Sequence, residues 1–174
     1  LECENSGTLK VNPILKVYSQ EGTILSTIGM DISAKGSQHI ILNDLTRIKD
    51  SYGTYKIELP SGQMLHGDRI SCRTVFYRGA PQGSEKAYDF AYSLPVRNPD
   101  TGVTAGVYNS YNPVALVDPT YNWLSVVNLD SITLYADIER YDLPGQKIKT
   151  IPVTNLAAHS RIDIALGHDV GQIT

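Results

Sequence analysis

Residues 1–41, LECENSGTLKVNPILKVYSQEGTILSTIGMDISAKGSQHII, can be laid without a gap on residues 124–164, LSVVNLDSITLYADIERYDLPGQKIKTIPVTNLAAHSRIDI, at a displacement of 123. Identities fall at Leu1/Leu124, Asn5/Asn128, Tyr18/Tyr141, Gly22/Gly145, Thr27/Thr150, Ile28/Ile151, Ala34/Ala157, Ser37/Ser160 and Ile41/Ile164. The kind of match matters more than the count. Apolar positions meet apolar positions at Leu9/Ile132, Val11/Leu134, Leu15/Ile138, Leu25/Ile148 and Met30/Val153, and the glycine needed to turn between two strands coincides. A repeat of this kind belongs to proteins built as arrays, in which each copy is a structural brick or a binding surface.

Outward from that repeat, alternation with a period of two dominates, and no long segment spaces its apolar residues as a helix does. Strands are predicted at 8–18, 24–31, 37–42, 54–59 and 70–78 in the first copy, with Pro13 interrupting the first of them and 43–51 as a helical turn or loop. In the second copy strands are predicted at 122–129, 137–141, 147–153 and 160–164, the first two paired with each other. A Tyr-rich hairpin, 87–96 and 103–111, follows the linker-like stretch from Gly79 to Ser84 and is placed with the second copy. Short strands with frequent turns give an all-β chain of two antiparallel β-sandwich modules, immunoglobulin-like or fibronectin-like, at residues 1–79 and 80–174. The second copy stops at Thr174 in Gly171-Gln-Ile-Thr, where the similar passage of the first copy, Gly53-Thr-Tyr-Lys-Ile-Glu-Leu, runs on to a further strand at 69–78. The missing closing strands read as a piece of a longer polypeptide, a subunit that borrows a neighbour's strand, or a divergent copy that ends early.

The net charge of −3 and a pI near 5.8 give no electrostatic footprint for nucleic acid. No apolar stretch approaches the length of a membrane-spanning helix. Eleven tyrosines against two phenylalanines and one tryptophan suit half-buried strand faces whose hydroxyls stay wet. Cys3 and Cys72 fall in strands of the same copy and are either a disulfide between them or two small buried hydrophobes, since Cys3 aligns with Val126.

Chemistry is sparse. Asp100-Thr101-Gly102 is the tripeptide of aspartic-protease sites, but Asn98 and Pro99 before it make a hairpin turn, and the second copy does not repeat it. His39, His66, His159 and His168 show no metal-ligand spacing, and His159-Ser160 lacks a nucleophile elbow. Turn aspartates such as Asp118, Asp130 and Asp142 lack the alternating oxygen ligands of a dedicated calcium loop. No catalytic residue, cofactor or metal is therefore expected. The remaining candidate is aromatic: Tyr92, Tyr108, Tyr111 and Trp123, with Tyr88, Phe90 and Tyr121 nearby in sequence, form either a stacking surface for sugar rings or part of the core.

Asn122-Trp123-Leu124-Ser125-Val126-Val127-Asn128-Leu129, with Ala157-Ala-His-Ser-Arg-Ile-Asp-Ile downstream, resembles repeat modules of large secreted or surface-anchored bacterial proteins. The resemblance covers mostly residues 85–174. It implies a sandwich fold and an extracellular or cell-surface location, and it brings no catalytic residues. The first copy departs from the motif, with Glu2-Cys3-Glu4 where the second has Ser-Val-Val, so its opening strand is expected at a sheet edge. The expected function is a non-enzymatic structural module whose partner is itself, in a fibre, sheath or surface layer. The alternative is a module that binds cell-surface polysaccharide through a Tyr/Trp face.

Overall fold

The computed structural model describes residues 1–46, 52–60, 70–79, 82–83, 85, 87–96, 122–142 and 144–166. The chain is all-β. In order it forms β1 (Glu2–Asn5), β2 (Ile14–Ser19), β3 (Ile24–Gly29), β4 (Ser37–His39), a short helix α1 (Leu42–Thr46), β5 (Gly53–Glu58), β6 (Ile70–Gly79), β7 (Tyr88–Pro95), β8 (Asn122–Val127), β9 (Leu134–Tyr141), β10 (Lys147–Leu156) and β11 (Arg161–Leu166). Among the described residues no helix is long and apolar enough to cross a membrane. Contacts divide the chain into two units: Leu1–Val17, Ile24–Asp50 and Tyr55–Thr101 form the first, and Tyr18–Thr23, Ser51–Thr54 and Gly102–Thr174 the second.

In the first unit a sheet of order β4-β1-β6-β7 and the strands of a sheet of order β3-β2-β5 share one core. Alternation explains who enters it. Leu15 and Val17 of β2 turn inward while Lys16 between them pairs with Glu58 at 2.6 Å, and Cys3 of β1 is fully buried between Glu2 and Glu4. Leu1, Val11, Met30 and Ile32 complete the buried cluster, and Tyr55, Ile57, Ile70 and Cys72 are among the residues that pack against it. The opening strand is therefore not an edge: β1 lies between β4 and β6, and the acids are tolerated because Cys3 and Asn5 take the buried side of the strand and Glu2 binds Arg73 at 2.7 Å. Pro13 ends the pairing of the predicted strand 8–18, leaving an isolated Val11↔Ile32 bridge before β2. The Tyr-rich strand β7 pairs antiparallel with β6, Phe76 opposite Tyr92, so it belongs with the first unit rather than with residues 80–174.

In the second unit β8 pairs with β11 and β9 with β10, not β8 with β9 as the sequence suggested. Asn128 is the reason. Its Nδ2 donates to the carbonyls of Ile132, Leu156 and Ala157 at 2.7, 2.9 and 3.0 Å, and its Oδ1 accepts from the amide of Asp130 at 2.9 Å, so the chain after β8 is tied away from a hairpin. Asn5 does the same in the first unit, donating to Leu9, Ile32 and Ser33 at 2.8, 3.2 and 3.1 Å and accepting from Gly7 at 2.9 Å.

These matched bonds show where the displacement changes. Up to Met30/Val153 it is 123: the β2–β3 turn, with Gly22 at φ 88, has its counterpart in the β9–β10 turn, with Gly145 at φ 89. Beyond that point it is 124. Ile32 matches Leu156, Ser33 matches Ala157, and the left-handed Lys35 matches the left-handed His159. Strand register agrees, since Cys3↔Gln38 corresponds to Val126↔Ile162. The extra residue is absorbed by a bulge between Val153 and Leu156, where Asn155 sits at φ 57 and its Oδ1 accepts from Tyr135 at 2.6 Å. The identities Ala34/Ala157, Ser37/Ser160 and Ile41/Ile164 are thus coincidences of a gapless overlay.

Candidate functional site

Two surfaces have enough side-chain chemistry to consider. The first is aromatic. Ile70 and Cys72 of β6 face the core, so by alternation Thr74 and Phe76 continue that face, and their cross-strand partners Leu94 and Tyr92 lie beside them. The Tyr55 hydroxyl is hydrogen-bonded to Thr74. Burial pushes the Tyr55 phenol above its ordinary range, with the Thr74 bond opposing. Farther along the strand, Phe76 and Tyr92 are 42% and 46% exposed, and Leu94 is exposed with them. Their rings stack at 4.7 Å and 11°.

Of the aromatic residues singled out from the sequence, Tyr92 is on this face. Trp123 lies on β8 of the second unit, its backbone opposite Ala165. Tyr108 and Tyr111 fall outside the described residues, as do Asp100, His66 and His168. Sequence reasoning passed over Phe76, although counting by twos from Cys72 would have placed it on the same face.

The second surface is polar and lies wholly in the second unit. Arg161 and Asp163 are on β11 and Ser125 is opposite Asp163 on β8. The Arg161 guanidinium holds both Asp163 oxygens at 2.9 Å, donates to Ser125 Oγ at 3.1 Å and lies 5.3 Å from the centre of the Tyr52 ring. Ser125 Oγ donates to Asp163 at 2.6 Å. Burial would raise the Asp163 carboxyl, but the hydrogen bonds from Arg161 and Ser125 and the guanidinium charge outweigh it and hold it below the ordinary carboxylate range. An open recess of 390 Å³ is lined by Tyr52, Ser125, Arg161 and Asp163.

This cluster does not activate a nucleophile. The group that receives the Ser125 proton is a carboxylate already neutralised by a guanidinium, hence a poor base. His159, with its ring 4.9 Å from Tyr18, offers its carbonyl to Thr54 Oγ1 at 3.0 Å, and Ser160 Oγ donates to the Ala157 carbonyl at 2.6 Å. Among the described residues no group of three or more His, Cys, Asp or Glu side chains is placed to hold a metal.

The cluster instead fastens chain segments. The Arg161 amide donates to the Gln20 carbonyl at 2.9 Å, and a methyl on Gly22 would lie 2.1 Å from the Ala158 carbonyl oxygen. Gly145 holds the same left-handed conformation in open space. Gly145→Ala should then cost about 1 kcal/mol for its backbone alone, and Gly22→Ala about 3 kcal/mol because the Ala158 backbone must also move. Thermal unfolding of the two variants side by side checks this; equal losses would mean the close approach is not tight in solution.

Cys3 and Cys72 stand directly opposite each other on β1 and β6 and are joined by a disulfide. No family model matches the chain, and neither a curated protein nor a solved structure is significantly similar to it.

Proposed function

We propose that the chain is a non-enzymatic structural part of an extracellular assembly. In this reading it consists of two related β-sandwich modules that associate with further copies through strand edges into a fibre, sheath or surface layer. The observation that carries it is the recurrence of the asparagine-centred turn and the strand pairing around it, because a duplicated β-unit is the brick from which arrays are made. A disulfide linking two core strands suits an oxidising compartment. Strands with one unpaired side among the described residues, such as β3, β4 and β10, are templates for pairing with another chain. Light scattering across a concentration series, with negative-stain images of the same samples, should give ordered fibres or a ladder of oligomers. A monomer at every concentration would overturn the reading.

A second reading is supported by the exposed Phe76–Tyr92 stack: a module that binds polysaccharide through ring faces. Tyr92→Ala should then lose glycan binding with an unchanged unfolding midpoint. A lower midpoint with no glycan bound by the parent chain would assign the rings to folding.

A further inference from the structure

Arg140 stands where the first unit keeps a valine. Its counterpart at a displacement of 123 is Val17, a member of the buried core, and Leu134, Ile138 and Arg140 repeat the inward alternation of Val11, Leu15 and Val17. Arg140 is only 8% exposed, and its buried Nε has no hydrogen-bond partner. The residue directly across the hairpin is Lys149, a second cation. Among the described residues Glu139 pairs with Lys147 and Tyr141 and Asp163 with Arg161, and no carboxylate is within ion-pair distance of Arg140. An inward guanidinium without a counter-charge destabilises a fold, and arginine is the side chain least able to escape by losing its proton.

Among the described residues the same strand has an open side. β9 is paired only with β10 among the described residues, whereas β2, its counterpart, has β3 on one side and β5 on the other. A strand added to β9 as β5 is added to β2 would cover Arg140 and bring its own inward side chains over the guanidinium. Copies of the described strands suit this poorly. β9 offers only Leu134, Ala136, Ile138 and Arg140 on that face, and β5 turns Tyr55 and Ile57 to the core while its Glu58 goes to Lys16.

We propose that the edge of β9 left unpaired among the described residues accepts an extended segment of a partner protein, apolar on its inward face except for one carboxylate that pairs with Arg140. The fork of the guanidinium and its exclusion from water make that carboxylate the specificity contact. This goes beyond the structural role proposed above, and either can fail without the other.

The test uses the full chain and synthetic peptides of residues 53–59, GTYKIEL, with Glu or Gln introduced at Tyr55 or at Ile57. Binding is read by calorimetry and by shifts of the amides of residues 134–141. At least one glutamate peptide should bind about tenfold more tightly than its glutamine twin, a preference that Arg140→Met abolishes. With no partner present, Arg140→Met should also melt higher, by about 5 °C, because an unpaired inward charge has been removed. Absence of peptide binding, equal affinity for acid and amide, or a preference that survives Arg140→Met would overturn the proposal. So would a variant that melts lower or does not fold, which would make Arg140 a structural residue.

Discussion

Removing the Cys3–Cys72 disulfide, by Cys3→Ala with Cys72→Ala or by dithiothreitol, is expected to cost the first unit about 4 kcal/mol of unfolding free energy. The bond closes a loop of 69 residues, and opening it returns that loop's freedom to the unfolded chain. Against a typical domain stability of about 5–15 kcal/mol the loss is large. It also falls on the strand that organises the unit, since β1 is paired on both sides. The second unit has Val126 at the counterpart of Cys3 and no disulfide at that place. Urea unfolding with and without reductant should therefore split into two transitions, one moved to lower urea and one unmoved. Superimposable curves would show that the bond does not constrain the unfolded chain.

Asn5→Ala and Asn128→Ala should each destabilise by about 3 kcal/mol. In both turns two amide protons are shared among three carbonyls and the side-chain oxygen caps one backbone amide, with the asparagine almost wholly buried. Alanine leaves those backbone groups without a partner and without water, and the cost of an unmade buried hydrogen bond exceeds the gain from a made one. Aspartate has the same shape but cannot donate when ionised, so Asn5→Asp should be at least as damaging at neutral pH. Three carbonyls facing a carboxylate disfavour its charge and raise its pKa in the folded state, so stability should recover as the pH falls through that raised value. Chemical unfolding of the parent and the three variants at pH 7 and pH 4 measures it. An Asn5→Asp chain that loses stability on acidification as the parent does would contradict the geometry.

Much of the architecture was legible because it rests on local rules. Alternation at Leu15, Lys16 and Val17 marks a strand with one buried face, and Gly22 and Gly145 mark turns that need a left-handed residue. The two asparagines could be seen as identities, but not as knots, because their partners lie 27 to 29 residues away on another segment. The bulge at Asn155 was hidden for a related reason. A gapless overlay cannot register one inserted residue when alternation resumes beyond it, and chance identities then appear to support the wrong displacement. The role of Phe76 depended on knowing that β7 returns beside β6, and the oddity of Arg140 on knowing that its counterpart is a core residue.

The sequence by itself determined the class of structure and the glycine turns, because period, glycine and apolar pattern act over a few residues. Only the tertiary structure decided which strands are neighbours, that β1 is central, that Cys3 meets Cys72, and that Arg140 faces inward on a strand paired on one side among the described residues. Strand partners are chosen by contacts between distant segments competing for the same backbone donors and acceptors. That competition is settled by which arrangement buries the most apolar surface with the fewest polar groups left unpaired.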